Sequence, residues 1–292
     1  MKTPDKQQEI RFSVVIPCYN GASGIRRQVE SILDLGTEHI GEIIVADNCS
    51  TDSTREIVSA LAVENPRVRY IEAFRGQGIN FGRNDGVRAS TFEHVLLCDA
   101  DDSVFPEWDI HHASAFRAGA NLVGGTLVAT LPSGEILRTI DYLYDGLWDG
   151  MPWPGGANCG FTRAIFDEVG GFDESYRGGG DDTDFFWRAL LRGSKMTFVP
   201  EAKVAYFERE SWKEVFRQRM GYGFSEVKLF SNFRMMGMPR QHMFRAPIGV
   251  FAGVLGCVFS TPSSKRRYAA AARLGRNWGR IKGSWHFRHW YF

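Results

Sequence analysis

Residues 94–103 read HVLLCDADDS. An apolar run leads straight into three carboxylates, Asp99, Asp101 and Asp102, within four positions. Side chains alternate along a strand with period two, so two Asp one residue apart at its end point the same way. Both then reach one hard divalent cation, and Mg²⁺ or Mn²⁺ favours such carboxylates together with phosphate oxygens. Taken alone, a DxD is most often a solvated turn. What distinguishes this one is the apolar strand that delivers it.

The pattern around it extends outward as alternating strands and helices. Phe12–Pro17 (FSVVIP), Glu42–Ala46 (EIIVA) and Val68–Ile71 are short β-branched runs. Between them, residues 22–35 and a segment capped by Asp52 or Ser53 have helical spacing, and Asn80–Ala89 opens another helix. Strand–helix alternation predicts parallel strands with helices on both faces, where ligands bind beyond the carboxyl ends of the strands. Asp47 and Asp99 sit at two such ends. Asn121–Thr130 and Glu135–Ile140 read as strands of mixed direction, and the segment from Asp145 to Gly160 as a loop. Asp181–Leu191 reads as a helix opened by a third acidic group, Asp181, Asp182 and Asp184. Three carboxylates exceed what the helix dipole needs, which makes a general base plausible there. The run Gly178–Gly180 before them suggests a mobile approach to a substrate.

The 292 residues are 43% hydrophobic and 24% charged, a globular composition. The net charge of +1 conceals an asymmetry: no Asp or Glu follows Glu226, while twelve Lys and Arg do. A basic tail of this kind suits an anionic surface. Five cysteines without metal-ligand spacing read as free thiols, and the polar N-terminus lacks a secretory pattern. The apolar run Ala246–Ser260 is short of the ~20 residues a spanning helix needs. These features predict a cytoplasmic protein, peripheral on the inner face of the cell membrane.

Six segments in order carry a resemblance: VVIPCYN (14–20), VADNCSTDST (45–54), GRNDGVRAS (82–90), LLCDADD (96–102), GGANCGFTRAIFDEVGGFDES (155–175) and GGGDDTDFFWRAL (178–190). Over residues 11–225 the chain resembles family 2 glycosyltransferases. The resemblance implies the GT-A nucleotide-diphospho-sugar transferase fold, a Rossmann-like mixed sheet in an α/β arrangement. Three regions are expected: a polar tail over residues 1–10, the catalytic domain over 11–225, and a basic helical extension over 226–292. Expected function is metal-dependent, inverting transfer of a sugar from a UDP-, GDP- or dTDP-linked donor to a glycan or lipid-linked acceptor in cell-envelope synthesis.

By motif, Pro17, Tyr19, Asp47, Arg83 and Asp99 correspond to donor-binding positions. Asp101, with Asp99, corresponds to the ligands of Mn²⁺ or Mg²⁺, and Asp182 to the catalytic base. Asp181 and Trp153 fall on the acceptor side, although Trp153 also reads as a loop anchor. The sequence departs from the family at two places. Asp181 replaces the Glu of a Glu-Asp pair. Tyr206 and Phe207, in KVAYFERES (203–211), stand where many members carry a metal-shell His. Gln218 and Arg219 only loosely echo the QxxRW of processive synthases, with Gly221 and Tyr222 at its end.

Two other readings stay open. Haloacid-dehalogenase-like Mg-dependent phosphatases also place DxD behind an apolar strand, though on their first strand. A degenerate nucleotide-sugar-binding scaffold would explain the missing His. Interleaved Trp278, Trp285 and Trp290 suit a membrane interface; no nucleic-acid motif accompanies them.

Overall fold

In the computed structural model, the residues described are 10–131, 134–207, 211–242, 244–261 and 264–291. Residues 1–9 of the expected polar tail and Glu208–Glu210 of the KVAYFERES stretch lie outside them. The chain forms two compact units. The first takes in Met1–Tyr144, Trp153–Phe172 and Phe185–Phe207; the second takes in Asp145–Pro152, Asp173–Asp184 and Glu208–Phe292.

The first unit is built on one mixed sheet. Strands β1 (Phe12–Cys18), β2 (Ile40–Asp47), β3 (Val68–Glu72) and β4 (His94–Leu97) are parallel, in the order β3-β2-β1-β4. The sheet continues through β8 (Cys159–Thr162), β6 (Leu122–Thr130), β9 (Met196–Phe207) and the two-residue β5 (Ser103–Val104), with β7 (Ile136–Ile140) paired to β6. Pairings β4–β8, β8–β6, β6–β7 and β9–β5 are antiparallel, so the parallel arrangement expected from strand–helix alternation holds only for the first four strands and β6–β9.

All seven β1 residues are buried, because the sheet is covered on both faces. On one face Val14 and Ile16 join Ile25, Val29 and Ile32 of α1 (Ile25–Leu33), Val58 and Leu61 of α2 (Thr54–Glu64), and Trp108 and Phe116 of α4 (Trp108–Arg117). On the other, Val15 and Ile44 join Val87 of α3 (Ile79–Ala89), Ile165 and Phe166 of α5 (Arg163–Val169), and Phe185 and Phe186 of α6 (Asp181–Leu190). Helix α3 comes close to the sheet because two glycines one turn apart face it. A Cβ on Gly82 would lie 3.1 Å from Pro17 Cβ, and one on Gly86 would strike the Val15 side chain.

Helix α4 and strand β8 have no clear sequence signature. Asp109 and His112 lie on the buried side of α4 and break its apolar spacing. A single side chain, Asn158, knits this region together. Its Nδ2 donates to the carbonyls of Thr126 and Ala202 at 2.9 Å each, while its Oδ1 accepts from Trp108 Nε1 (2.9 Å) and His112 Nε2 (3.1 Å). An indole N–H only donates, so the amide orientation follows, and His112 is neutral with its proton on Nε2. Burial drives the His112 pKa from 6.5 down to about 4.

The second unit contains α7 (Trp212–Phe233), α8 (Arg245–Val258) and α9 (Lys265–Phe287). The boundary expected at 225/226 falls inside α7. These helices meet through glycine. Gly275, Gly279 and Gly283, spaced one turn apart on α9, press against the α7 backbone at Phe216, Met220 and Phe224. Glu226 is buried between Arg276 and Arg280, with Arg280 Nη2 2.6 Å from its Oε2.

Candidate active site

Register places the chemistry. Cys18 pairs with Asp47, and Val15 with Leu97, so the ends of β1, β2 and β4 share one edge of the sheet, with Asp99 emerging two residues beyond Leu97. Loops 19–22 and 50–54 are bound to each other there. Ser50 Oγ accepts from the Asn20 N–H (2.8 Å), Thr54 Oγ1 from the Gly21 N–H (2.9 Å), and Asp52 from the Ala22 N–H (3.0 Å). Pro17 is buried under Gly82, whereas Tyr19 is half exposed. Asp47 is buried; its Oδ1 accepts from the Ser50 N–H (3.0 Å) and its Oδ2 from the Tyr70 hydroxyl (2.8 Å). It therefore also braces the turn that carries it. Burial and then Asp47 push the Tyr70 hydroxyl well up, and the same two causes raise the Cys18 thiol to about 12, leaving it protonated.

Asn48 is a buried bracket. It donates to the Gly76 carbonyl (2.7 Å) and accepts from the Gly78 N–H (2.6 Å), fixing the loop that enters α3. Asn84 of the GRN motif is likewise structural. It exchanges two hydrogen bonds with the Phe172 backbone, at 2.8 and 2.9 Å. Gly171 (φ +77°) must be glycine, since a Cβ there would lie 2.8 Å from Asn84 Oδ1. Between these anchors Arg83 is held 5.4 Å from the Phe172 ring centroid, its Nη2 3.9 Å from Asp99 Oδ1.

The acidic turn has its own clamp, which sequence reading misses. Gly24 lies against the turn, where a Cβ would be 2.8 Å from Asp101 Cα. Arg27 Nη2 donates to the Asp101 carbonyl at 2.5 Å, and its guanidinium lies 4.4 Å from the centre of the Phe207 ring. The Phe207 N–H in turn donates to Asp102 Oδ1 (3.2 Å). Phe207, one of the two residues expected in place of a metal-shell His, thus ties down the acidic turn through its backbone N–H. Asp102 Oδ2 is buried and has no hydrogen-bond partner among the described residues. Burial, then Asp99 and Asp101, push its carboxyl well above the ordinary range. A hard divalent cation here would relieve that repulsion, so the donor type fits. Among the described residues no three carboxylate, His or Cys side chains converge, so phosphate oxygens and water would complete the shell.

Trp153 stacks on Tyr144 (5.7 Å between centroids) and meets Trp187 edge-on (5.6 Å), the contacts of a loop anchor.

In the second unit, Asp181–Asp184 form the first turn of α6. Asp181 and Asp184 are buried, at 3% and 2% exposure, and Asp182 is the accessible one. Asp182 Oδ1 accepts from the Thr183 N–H at 2.7 Å. Asp184 accepts from the Tyr176 hydroxyl (3.3 Å), over whose ring Lys228 sits while paired to Asp173 (2.9 Å). The glycine run is not a loose approach to a substrate. A Cβ on Gly178 would lie 3.0 Å from Gly221 Cα, and one on Gly180 3.0 Å from Ser225 Cβ. Gly221 and Tyr222, which replace the end of QxxRW, are what this run packs against.

A model of glycosyl transferase family 2 matches residues 13–170, and one of glycosyl transferase family group 2 matches residues 136–274. Among curated proteins, the succinoglycan biosynthesis protein ExoO of Rhizobium meliloti (strain 1021) is 29% identical over 225 residues, covering 70% of this chain and 62% of ExoO. The chain thus spans less than two thirds of that relative. ExoA of the same organism, also named for succinoglycan biosynthesis, is 26% identical over 254 residues, covering 83% of this chain and 77% of its own. The mannosyltransferase PcManGT from Pyrobaculum calidifontis, solved with GDP-Man and Mn²⁺, superposes with a TM-score of 0.66 at 17% identity, over 94% of this chain and 87% of that one. The fold is the GT-A arrangement. The haloacid-dehalogenase reading finds no support in these matches.

Proposed function

Because the chain belongs to glycosyl transferase family 2, we propose that it moves a sugar from a nucleoside-diphosphate donor to an acceptor hydroxyl with inversion. The observation that carries this reading is the acidic turn beyond β4, with Arg83 3.9 Å from Asp99. Pro17, Tyr19 and Asp47 bind the base and ribose, and Arg83 and Asp99 the ribose and diphosphate. Asp101, with Asp99, holds Mn²⁺ or Mg²⁺, whose charge offsets that of the departing diphosphate. Asp182 takes the acceptor proton as the acceptor oxygen bonds to the anomeric carbon. The anomeric C–O bond to phosphate breaks on the opposite face, and the nucleoside diphosphate leaves with its electron pair. Asp181 and Trp153 act on the acceptor side through the positions they support, since Asp181 offers little surface of its own.

The two relatives named for succinoglycan biosynthesis support a cell-envelope acceptor, glycan or lipid-linked. We place the protein peripherally on the inner face of the membrane, where such an acceptor would be presented. Nucleotide release from UDP-, GDP- and dTDP-sugars, with Mn²⁺ or EDTA, tests the reaction in wild type and Asp101→Ala. Metal-dependent release from one donor, reduced about 10³-fold in the variant, is expected. Release indifferent to EDTA and to Asp101→Ala overturns the metal assignment. Nucleotide binding without turnover from any donor leaves the degenerate scaffold.

A further inference from the structure

Helix α8 is turned inside out. Its small residues Ala246, Gly249 and Gly253 are buried, while Phe244, Ile248, Phe251, Leu255, Val258 and Phe259 are exposed by 41% to 82%. The buried side is pressed against α9. A Cβ on Gly253 would lie 2.7 Å from Leu274 Cβ, one on Gly256 2.6 Å from Ala270 Cβ, and one on Gly249 would strike Asn277. The exposed residues recur at three- and four-residue intervals, so they form one continuous stripe. In water a helix ordinarily buries such a stripe and exposes its small residues. Small residues between helices and large apolar ones outside is the arrangement helices adopt in lipid.

Along α8 and α9 the charge has one sign. No carboxylate follows Glu226, and Glu226 is consumed by Arg276 and Arg280. Arg267 lies over the Trp212 ring. Arg280 is therefore internal, while Arg276 and Arg267 are partly exposed but each is committed to a partner within the protein. Arg245, Lys265, Arg266, Arg273 and Lys282 are exposed, as are Trp278 and Trp285, two turns apart on α9. No helix among the described residues is long and apolar enough to cross a membrane, and the 14 residues of α8 reach only about 21 Å.

We propose that the outward face of α8 docks onto an anionic lipid bilayer, lying in its surface with the exposed cations of α8 and α9 against the headgroups. This rests on the peripheral attachment proposed above and names the surface that makes it. Apolar side chains sink into the headgroup–acyl boundary, and the one-signed charge selects anionic lipid.

Co-sedimentation of the full chain with phosphatidylcholine vesicles, with and without phosphatidylglycerol, tests it. The variants are the double substitution Phe251→Ser with Val258→Ser, and Lys265→Glu with Arg266→Glu. Wild type should bind the anionic vesicles and lose binding as salt rises. The apolar variant should bind about tenfold less or weaker still, and the charge variant about tenfold less. Both should unfold at the wild-type temperature, since all four residues lie at the surface. Wild type left in the supernatant overturns the attachment itself. Equal binding by the apolar variant overturns this surface alone. A wild-type dimer that the apolar variant converts to monomer, with vesicle binding unchanged, assigns the face to a second copy instead. Nucleotide release measured on the same preparations reports the transfer reaction separately, so neither failure can pass for the other.

Discussion

In the sheet unit, β1 and β4 send Val14, Ile16, Val95 and Leu97 inward, with charged side chains left to the strand ends. In the helical unit, α8 and α9 send glycine and alanine inward and leave Phe251, Ile248 and Trp285 outside. The first unit derives its stability from apolar area removed from water, at ~25 cal/mol per Å². In the second, α7 and α9 also meet backbone to backbone, an approach that depends on the absence of side chains at the contact. A substitution should therefore have opposite consequences in the two places, and that contrast can be broken or sharpened by experiment.

Asn158→Ala should show the largest effect, about 4 kcal/mol of lost stability in chemical denaturation. It strips partners from two buried carbonyls, an indole N–H and His112 at once. A loss under ~1 kcal/mol would mean that the sheet unit does not depend on this bracket. His112 adds a pH dependence. Its folded pKa of about 4 lies below the ordinary 6.5, so between those values the unfolded chain binds the extra proton. Its contribution is intact above pH 6.5 and falls as the pH drops towards 4, by about 3 kcal/mol in all. Denaturation curves at pH 7.5, 6 and 5 should separate wild type from His112→Gln, whose profile lacks that portion of the slope.

Gly279→Ala sharpens the comparison from the other unit. In an exposed helix such a change stabilises by up to ~1 kcal/mol. Here the new methyl would crowd the Met220 carbonyl and lie 2.8 Å from Phe224 N, so thermal unfolding should show a loss of about 2 kcal/mol. Smallest is Phe251→Ser, an apolar-to-polar change expected to move stability by less than ~0.5 kcal/mol. A loss above ~2 kcal/mol would mean that the outward stripe is core after all.

Much of the candidate site is legible in the chain as written. Asp99, Asp101, Arg83 and Asp182 stand in short motifs, because a strand end, a close-packed helix and a helix start each demand few residue types. Less legible are the residues that hold them. Arg27 is nine positions past the first strand with no motif around it, and it meets Asp101 only because α1 packs beside the acidic turn. Asn84 and Gly171 belong to different motifs, and nothing local says that one exists for the other. Glycines 178–180 suggest mobility when read singly, yet they are close-packed against α7.

From the sequence alone follow the alternation of strands and helices, the strand ends that carry carboxylates, and the family. These depend on local periodicity and on contiguous residues, which a linear reading contains. Tertiary structure alone decided which way α8 faces, that Arg276 and Arg280 are spent on Glu226, and that Asp102 is tethered by Phe207. A helix carrying both a glycine ridge and an apolar stripe can be packed from either side. The choice depends on the shape of the neighbouring helix, and α9 leaves no room for a side chain at Gly249, Gly253 and Gly256.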